Sequence, residues 1–374
     1  MEPFNLCIIK PNKDAFSETF VQEHINRLPG NKSVLYGGSF PVYDDEGNYL
    51  IKSKIGLLSY LIQKRLFKKK DIAVRTNALV SYLKTKNIDV VFVEYGTVGA
   101  MVTEACRLAN VPLVIHYHGF DVHHQKTVAE YLPWYKKAFG YASAFIAVSG
   151  DMAEELKRLG APANKVHVAS CGVDTSKFPV LDISGTKRNF LAVGRFVEKK
   201  SPQSVVKAFK LVLDKFPDAK LWMVGQGPLF DETKALITEL DIEQNINLTG
   251  ILKTDQIKEL IQQARIFVQH SVTAQNGDKE GTPVTILEAG SSGLAIISTL
   301  HTGIKEAVIN GETGYLVPEY DIEGMANYMI KLADNVELAS ELGKKEAAHI
   351  RRNYDINDRI KTITNLLQQA INNK

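Results

Sequence analysis

Short apolar runs without alternation recur along the chain, each followed by a longer stretch with helical spacing. In the first half the runs are Asn5–Ile9, Ser33–Tyr36, Val90–Glu94, Leu113–Tyr117, Ala144–Val148 and Val166–Ser170. In the second they are Phe190–Val193, Leu221–Val224, Ile246–Leu248, Ile266–Gln269, Ala295–Ser298 and Gly314–Val317. Strands that are apolar throughout suit a parallel sheet covered on both faces. Helices are predicted between them near 18–28, 54–67, 72–86, 98–109, 129–141 and 152–159, and again throughout the second half. Alternation of this kind through two halves predicts two doubly wound, Rossmann-like α/β domains with parallel sheets.

The pattern breaks between Cys171 and Lys187, where Gly172, Asp174, Pro179, Asp182, Ser184 and Gly185 crowd together, so the interdomain linker is expected there. The expected division is 1–175, 176–354 and a closing helical segment, 355–374. A length of 374 residues fits two domains of ordinary size. A net charge of +3 is too small to make nucleic acid the main partner. Cys7, Cys106 and Cys171 are odd in number and widely spaced, which fits a reducing cytoplasm and no disulfide or zinc framework. No apolar segment is long enough for a bilayer, and the N-terminus runs straight into a strand, so a cytoplasmic protein is expected.

Ligands of open parallel sheets bind beyond the carboxyl ends of the strands. In the second half those ends carry Gly194-Arg195 followed by Lys199-Lys200, then Gly225-Gln226-Gly227-Pro228, then Thr249-Gly250-Ile251-Leu252. The fourth leads through His270 and Ser271 to E-G-T-P-V-T-I-L-E, which begins at Glu280 and ends at Glu288. Thr282 is the expected N-cap and Pro283 the first helical residue, leaving the N–H groups of Val284 and Thr285 as a phosphate seat. Gly281 joins the loop carboxylate Glu280 to that helix start. Glu280 and Glu288 would flank the seat as hydroxyl acceptors. Arg195 and Lys200 suit a diphosphate, and Ile251 and Leu252 would flank a base. Each part taken singly also reads as an ordinary turn or a solvated charge. The dinucleotide fingerprint, the Walker loop, the G-x-S-x-G elbow and metal-ligand spacings are missing.

In the first half, Leu113–Tyr117 ends in His118-Gly119-Phe120-Asp121. His118 either meets a sugar hydroxyl or developing charge, or holds its own turn. His116 reads as structural, and His123 and His124 form a small cluster that the pattern assigns no role. The loop Pro11–Phe20 offers Asp14, Ser17, Glu18 and Thr19, with Ser17 equally an N-cap. The segment Lys54–Lys70 is both apolar and basic. Its Lys64, Arg65, Lys68, Lys69 and Lys70 fit either an anionic membrane surface or cations at the end of a core helix. The patch at Trp134, Tyr135, Lys136 and Lys137 reads as packing.

These residues resemble the GT-B glycosyltransferases, and within them glycosyltransferase family 4. The resemblance spans nearly the whole chain and is strongest from Gly172 to Pro318. It is carried by C-G-V-D-T-S-K-F, V-G-R-F-V-E-K-K-S-P, the two glutamates separated by seven residues, and H-T-G-I-K-E-A-V-I-N-G-E-T-G-Y-L-V-P. H-G-F-D and S-E-T-F are similar to motifs of the branch that builds bacterial exopolysaccharides and capsules. The resemblance implies a GT-B fold and transfer of a sugar, with retention and without metal or other cofactor. The donor would be a UDP- or GDP-sugar, UDP preferred, and the acceptor a glycan or lipid-linked glycan. It further implies that Gly194, Arg195 and Lys200 hold the diphosphate, that Glu288 binds the ribose, and that Ile251 lies by the base. Glu280 and His118 would act on the donor sugar, and the last helix would cross back to the first domain. Where the family has a glycine-rich first loop this chain has P-N-K-D-A-F-S-E-T-F, so Ser17, Glu18 and Asp121 are the acceptor-side candidates. Two other functions fit the same motifs: a nucleotide-sugar epimerase or hydrolase, and a binding protein without turnover.

Overall fold

A computed structural model describes residues 4–13 and 19–374. The chain divides into two compact units, Met1–Ala169 with Arg359–Lys374, and Ser170–Asp358. The first unit holds strands β1 (Asn5–Lys10), β2 (Asn31–Tyr36), β3 (Tyr43–Asp44), β4 (Val90–Glu94), β5 (Leu113–Tyr117), β6 (Ala144–Ala147) and β7 (Val166–Val168). They form one sheet in the order β3-β2-β1-β4-β5-β6-β7, parallel except at β3. The second unit holds β8 (Asn189–Val193), β9 (Lys220–Val224), β10 (Ile246–Gly250), β11 (Ile266–Val268), β12 (Ala295–Thr299) and β13 (Gly314–Val317). Their order is β10-β9-β8-β11-β12-β13, and every pairing is parallel. Both units are thus Rossmann-like, as the apolar runs predict.

The two-residue edge strand β3 has no counterpart in the apolar pattern. It pairs antiparallel to β2 and is too short and too polar to show a period. The helix expected from 129 begins at Gln125, because the ring of His124 caps it by accepting the Thr127 N–H at 3.2 Å. Histidine is not among the usual cap formers, so the signal is weak in sequence. Ser149 caps the helix Gly150–Arg158 in the expected way, and Asn110 in the left-handed region ends Gly96–Ala109.

Residues 170–188 do not hang free. Phe178 and Ile183 are buried in the second unit, and the Phe178 carbonyl accepts from Ser291 Oγ at 3.0 Å and Arg351 Nη2 at 2.8 Å. Glycine, proline and aspartate there shape a packed turn rather than a loose linker. Val173 and Ile356 extend that packing by two backbone hydrogen bonds, Val173 N–H to Tyr354 and Ile356 N–H to Val173, each 2.9 Å. The closing helix Ile356–Asn372 follows, and from Arg359 onward it belongs to the first unit.

The second unit is centred on aromatic packing between sheet and helix. Phe209, on the helix Pro202–Leu213, meets Phe190 of β8 edge to face at 5.5 Å, both fully buried. Phe209→Ala is expected to cost about 3–5 kcal/mol in urea unfolding of this unit. A cost under about 1 kcal/mol would show that the core can close over the missing ring.

Candidate active site

The strand order of the second sheet reverses between β8 and β11, which lie side by side with Phe190 opposite Ile266. Chains leaving two such strands diverge and open a crevice beyond their carboxyl ends. From β8 come Gly194, Arg195 and the turn Glu198–Lys200; from β11 come Gln269 and the loop to Glu280. A small cavity between them is lined by Gly194, Arg195, Phe196, Lys200 and Gln269. Lys200 Nζ stands 3.2 Å from Glu280 Oε2 and donates to Gln269 Oε1 at 3.2 Å. Lys199 Nζ lies 3.8 Å from Glu280 Oε1 and 3.2 Å from Asp278. Arg195 is exposed at the rim.

The charges decide the state of the carboxyl. Burial pushes Glu280 up, but Lys200 and then Lys199 outweigh it and bring it to about 2. Burial lowers Lys200 from its ordinary value, with Glu280 pulling it back up. The site therefore presents a fixed carboxylate between two ammonium groups.

Two of the strand-end glycines serve the protein's own packing. A Cβ on Gly225 would sit 2.0 Å from the Gly194 carbonyl oxygen, and one on Gly227 2.4 Å from that of Phe196. Those glycines let the β9 loop press against the β8 loop. At Gly194, by contrast, an added Cβ would only reach ordinary contact with the Lys200 stem, 3.4 Å from Cε.

The helix start lies one residue later than the sequence suggests. Pro283 is the N-cap, with φ −65° and ψ 120°, and its carbonyl accepts the Ile286 N–H at 3.1 Å. Thr282 is buried before it and is not the cap. Pro283 has the φ of a first helical residue, but its extended ψ turns the chain into the helix only at Val284. The N–H groups of Val284 and Thr285 still precede the first intrahelical bond after the shift. Gly281 is buried behind it, and its carbonyl accepts from Thr302 Oγ1 at 3.4 Å. Glu288 is half-buried on the same helix; burial pushes its carboxyl up to about 7, against the pull of Lys258. Leu252 packs half-buried against the core, whereas Ile251 is exposed.

Lys199, Gln269, Asp278, His301, Thr302 and Glu319 complete this site, and sequence reasoning gave none of them a role. His301 Nε2 accepts the Glu280 N–H at 3.1 Å, and His301 Nδ1–H donates to Glu319 at 2.6 Å. Only the H-T-G tripeptide hinted at His301. Nearby, His270 Nε2 accepts the Tyr320 N–H at 2.9 Å, and burial lowers its pKa to about 4.

In the first unit His118 stands just after β5 with its side chain buried. Its Nε2–H donates to Glu94 at 2.6 Å, and His24 Nδ1–H donates to the other oxygen at 2.6 Å. His116 Nδ1 lies 3.3 Å from the same carboxylate. Burial pushes Glu94 up, but the three histidines outweigh it and hold it well below the usual range. The donor atoms of a tetrahedral zinc at 2.0–2.1 Å stand about 3.3 Å apart, so separations of 2.6 Å are those of a hydrogen-bonded group. Burial brings His116 to about 4.

Asp121 is fully buried. Its carboxylate accepts the backbone N–H groups of Gly96, His118 and Gly119 at 2.5, 3.0 and 3.1 Å, and so shapes the turn that carries His118. Tyr135 is also buried and donates to the Asp121 carbonyl at 2.6 Å, which is packing as expected. Ser17 and Glu18, with Asp14, lie outside the described residues.

Two family models match the chain: Glycosyl transferases group 1 over residues 173–349, and Glycosyltransferase Family 4 over residues 57–177. Among curated relatives, the putative colanic acid biosynthesis glycosyltransferase of Salmonella typhimurium is 28% identical over 242 residues, 64% of this chain. The alignment spans only 60% of that relative's own length. The UDP-Gal:alpha-D-GlcNAc-diphosphoundecaprenol alpha-1,3-galactosyltransferase of Escherichia coli is 27% identical, with 79% of each chain covered. Among solved structures, Anabaena Alr3699/HepE in complex with UDP and glucose superposes with a TM-score of 0.76. It is 17% identical, with 97% of this chain and 99% of that one covered, a likeness of fold.

The depressed carboxyl makes a stability prediction. The folded form holds Glu280 near 2 against an ordinary 4.5, so its contribution is full above pH 4.5 and disappears as pH falls toward 2. The stability gap between the protein and Glu280→Gln should narrow by on the order of 2 kcal/mol between about pH 6 and pH 3. Parallel urea titrations measure it, and a constant gap would mean the ammonium groups do not hold the charge.

Proposed function

The chain belongs to the glycosyltransferases of the group 1 and family 4 models, with a GT-B fold, and from that premise we propose its reaction. It moves a sugar from a nucleotide diphosphate donor to a hydroxyl of a glycan or lipid-linked glycan, in the building of a polysaccharide. The observation that carries this reading is the corner at the β8–β11 reversal: Lys200 paired with an ionised Glu280, Arg195 on the same cavity, and the helix start at Val284 four residues beyond Glu280. Two cations and a helix start suit a pyrophosphate. Glu288, at the second turn of that helix, suits ribose hydroxyls.

In the proposed reaction the bond from the anomeric carbon to the diphosphate oxygen breaks. Arg195, Lys200 and the helix N–H groups stabilise the negative charge that develops on the leaving group. The Glu280 carboxylate, fixed in place, stabilises the positive charge on the sugar ring. The acceptor hydroxyl bonds to the anomeric carbon on the face the diphosphate leaves, which retains configuration, and its proton passes to a phosphate oxygen. The protein's own cations do what a divalent ion would do, so the reaction is metal-independent. UDP is preferred as the nucleotide, in line with the relative named for UDP-Gal and the solved structure bound to UDP; GDP is the alternative. His118, at the carboxyl end of β5, is the first unit's candidate for hydroxyl contact.

A lipid-linked acceptor favours a protein that rests on a membrane. No helix among the described residues is long and apolar enough to cross one. The helix Lys54–Arg65 instead exposes Ile55, Leu58 and Ile62, with Leu66 and Phe67 exposed just beyond it. Ile55, Leu58 and Ile62 share one face at helical spacing, and Lys64, Arg65, Lys68 and Lys69 stand exposed beside them. Lys70 is turned away, paired with Glu130 and lying over the Tyr131 ring. We assign this face to anionic lipid.

Calorimetry with UDP and GDP, with and without chelator, followed by turnover assays on their sugars, tests the donor reading. Arg195→Ala should lose about 1.5–3 kcal/mol of stabilisation, roughly tenfold to a hundredfold in rate. Parent-rate turnover in that variant, loss of activity on chelation, or free or epimerised sugar from donor alone would each overturn part of it. Vesicles containing phosphatidylglycerol should retain the protein in flotation, with Ile55→Asp and Leu66→Asp each weakening retention. Equal retention by neutral vesicles would remove the electrostatic half of the lipid assignment.

A further inference from the structure

Glu280 is gripped from more sides than one cation requires. Its N–H donates to His301 Nε2 at 3.1 Å, and its carbonyl accepts from Thr302 Oγ1 at 2.7 Å. His301 is fixed in turn, because Nδ1–H is committed to Glu319, which also accepts the Thr273 N–H at 2.8 Å and its hydroxyl at 3.3 Å. Lys199 is buried, and its Nζ is shared among Asp278 and the Lys279 carbonyl, both at 3.2 Å, and Glu280 Oε1 at 3.8 Å. The Lys199 carbonyl accepts the Val272 N–H at 2.9 Å, which anchors the residue to the β11 loop.

Lys200 is placed differently. Its Nζ reaches Glu280 Oε2 and Gln269 Oε1, both at 3.2 Å, and it lines the small cavity beside Arg195. A donor diphosphate at this corner competes with Glu280 for the same ammonium. Were Lys200 the sole counter-charge, its departure would strand a buried carboxylate, which is costly.

We propose that Lys199 and the His301–Glu319 pair are positioning residues that hold Glu280 independently of Lys200, and that Lys200 exchanges Glu280 for the donor's diphosphate. The inference rests on the donor reading given above. Two adjacent lysines thereby differ in what they do. Lys199 keeps the carboxylate ionised and aimed, and Lys200 carries the phosphate. Lys199 has no cause to weaken nucleotide binding when it is removed.

UDP calorimetry and steady-state turnover of the donor, on variants whose folding is checked by thermal unfolding, separate the two roles. Lys200→Gln should weaken UDP about tenfold or more, while Lys199→Gln should leave UDP affinity within about twofold and lower kcat about tenfold or more. Lys199→Arg should restore much of the rate. His301→Gln, which keeps an acceptor for the Glu280 N–H, should outperform His301→Leu in kcat at equal UDP affinity. If Lys199→Gln loses UDP as Lys200→Gln does, Lys199 is a phosphate ligand and the division is wrong. An unchanged kcat in Lys199→Gln would equally overturn it. Should Lys199→Gln not fold, Lys199→Arg and the two His301 variants decide: equal kcat in His301→Gln and His301→Leu sinks the cradle. Failure of the unaltered protein to bind any nucleotide diphosphate would instead strike the donor reading.

Discussion

The second unit's candidate site depends on a carboxylate buried beside two ammonium groups. Burial pushes the Glu280 carboxyl up, and Lys200 and then Lys199 outweigh that push. This balance depends on backbone more than on side chains. Lys199 and Lys200 come off β8 and Glu280 comes off β11, so only the adjacency of those two strands brings the charges within 3.8 Å. A chain that ordered these strands differently would carry the same residues and lack the site.

The frame explains the tight local fits. The Gly225 and Gly227 positions tolerate no Cβ because two strand-end loops touch there, with the Gly194 N–H bonded to Val224 and the Phe196 N–H to Gln226. That contact sets where Arg195 and the lysine turn begin. Behind it the helix Pro202–Leu213 buries Val205, Phe209 and Val212 against the sheet. Sheet packing and loop contact together fix where the turn of Lys199 and Lys200 stands against Glu280.

Much of this was legible in sequence because parallel strands buried on both faces leave an unbroken apolar signature, and the residues just after each run inherit the strand's end. Gly194, Arg195 and Lys200 follow a strand end by that logic, whereas Glu280 and Glu288 are read from the spacing of the E-G-T-P-V-T-I-L-E segment. His301 and Glu319 could be located by neither. They act through hydrogen bonds between the ends of β12 and β13, and such bonds have no periodicity or spacing to read. Glu94 shows the same limit. It sits inside an apolar run and reads as a strand terminus, yet it collects two histidine hydrogen bonds from different elements. Thr282 and Pro283 illustrate a smaller failure: cap preferences name the residue types, but the observed ψ of Pro283 decides the register by one position.

The two units solve one electrostatic problem with different partners. The first sheet reverses between β1 and β4, and Glu94 closes β4 at that reversal; the second reverses between β8 and β11, and Glu280 follows β11. Both carboxyls are buried and both are held below their ordinary range. Glu280 is held by ammonium groups, Lys200 first and then Lys199, which bring its carboxyl to about 2. Glu94 is held by the imidazoles of His24, His116 and His118, with the charge of His24 the largest of their effects. Burial brings His116 itself to about 4, so near neutral pH it stands 3.3 Å from that carboxylate as an uncharged ring. The second unit thus fixes its carboxylate with cations from the adjoining strand end, and the first gathers rings from the helix Thr19–Arg27 and from β5 around its own.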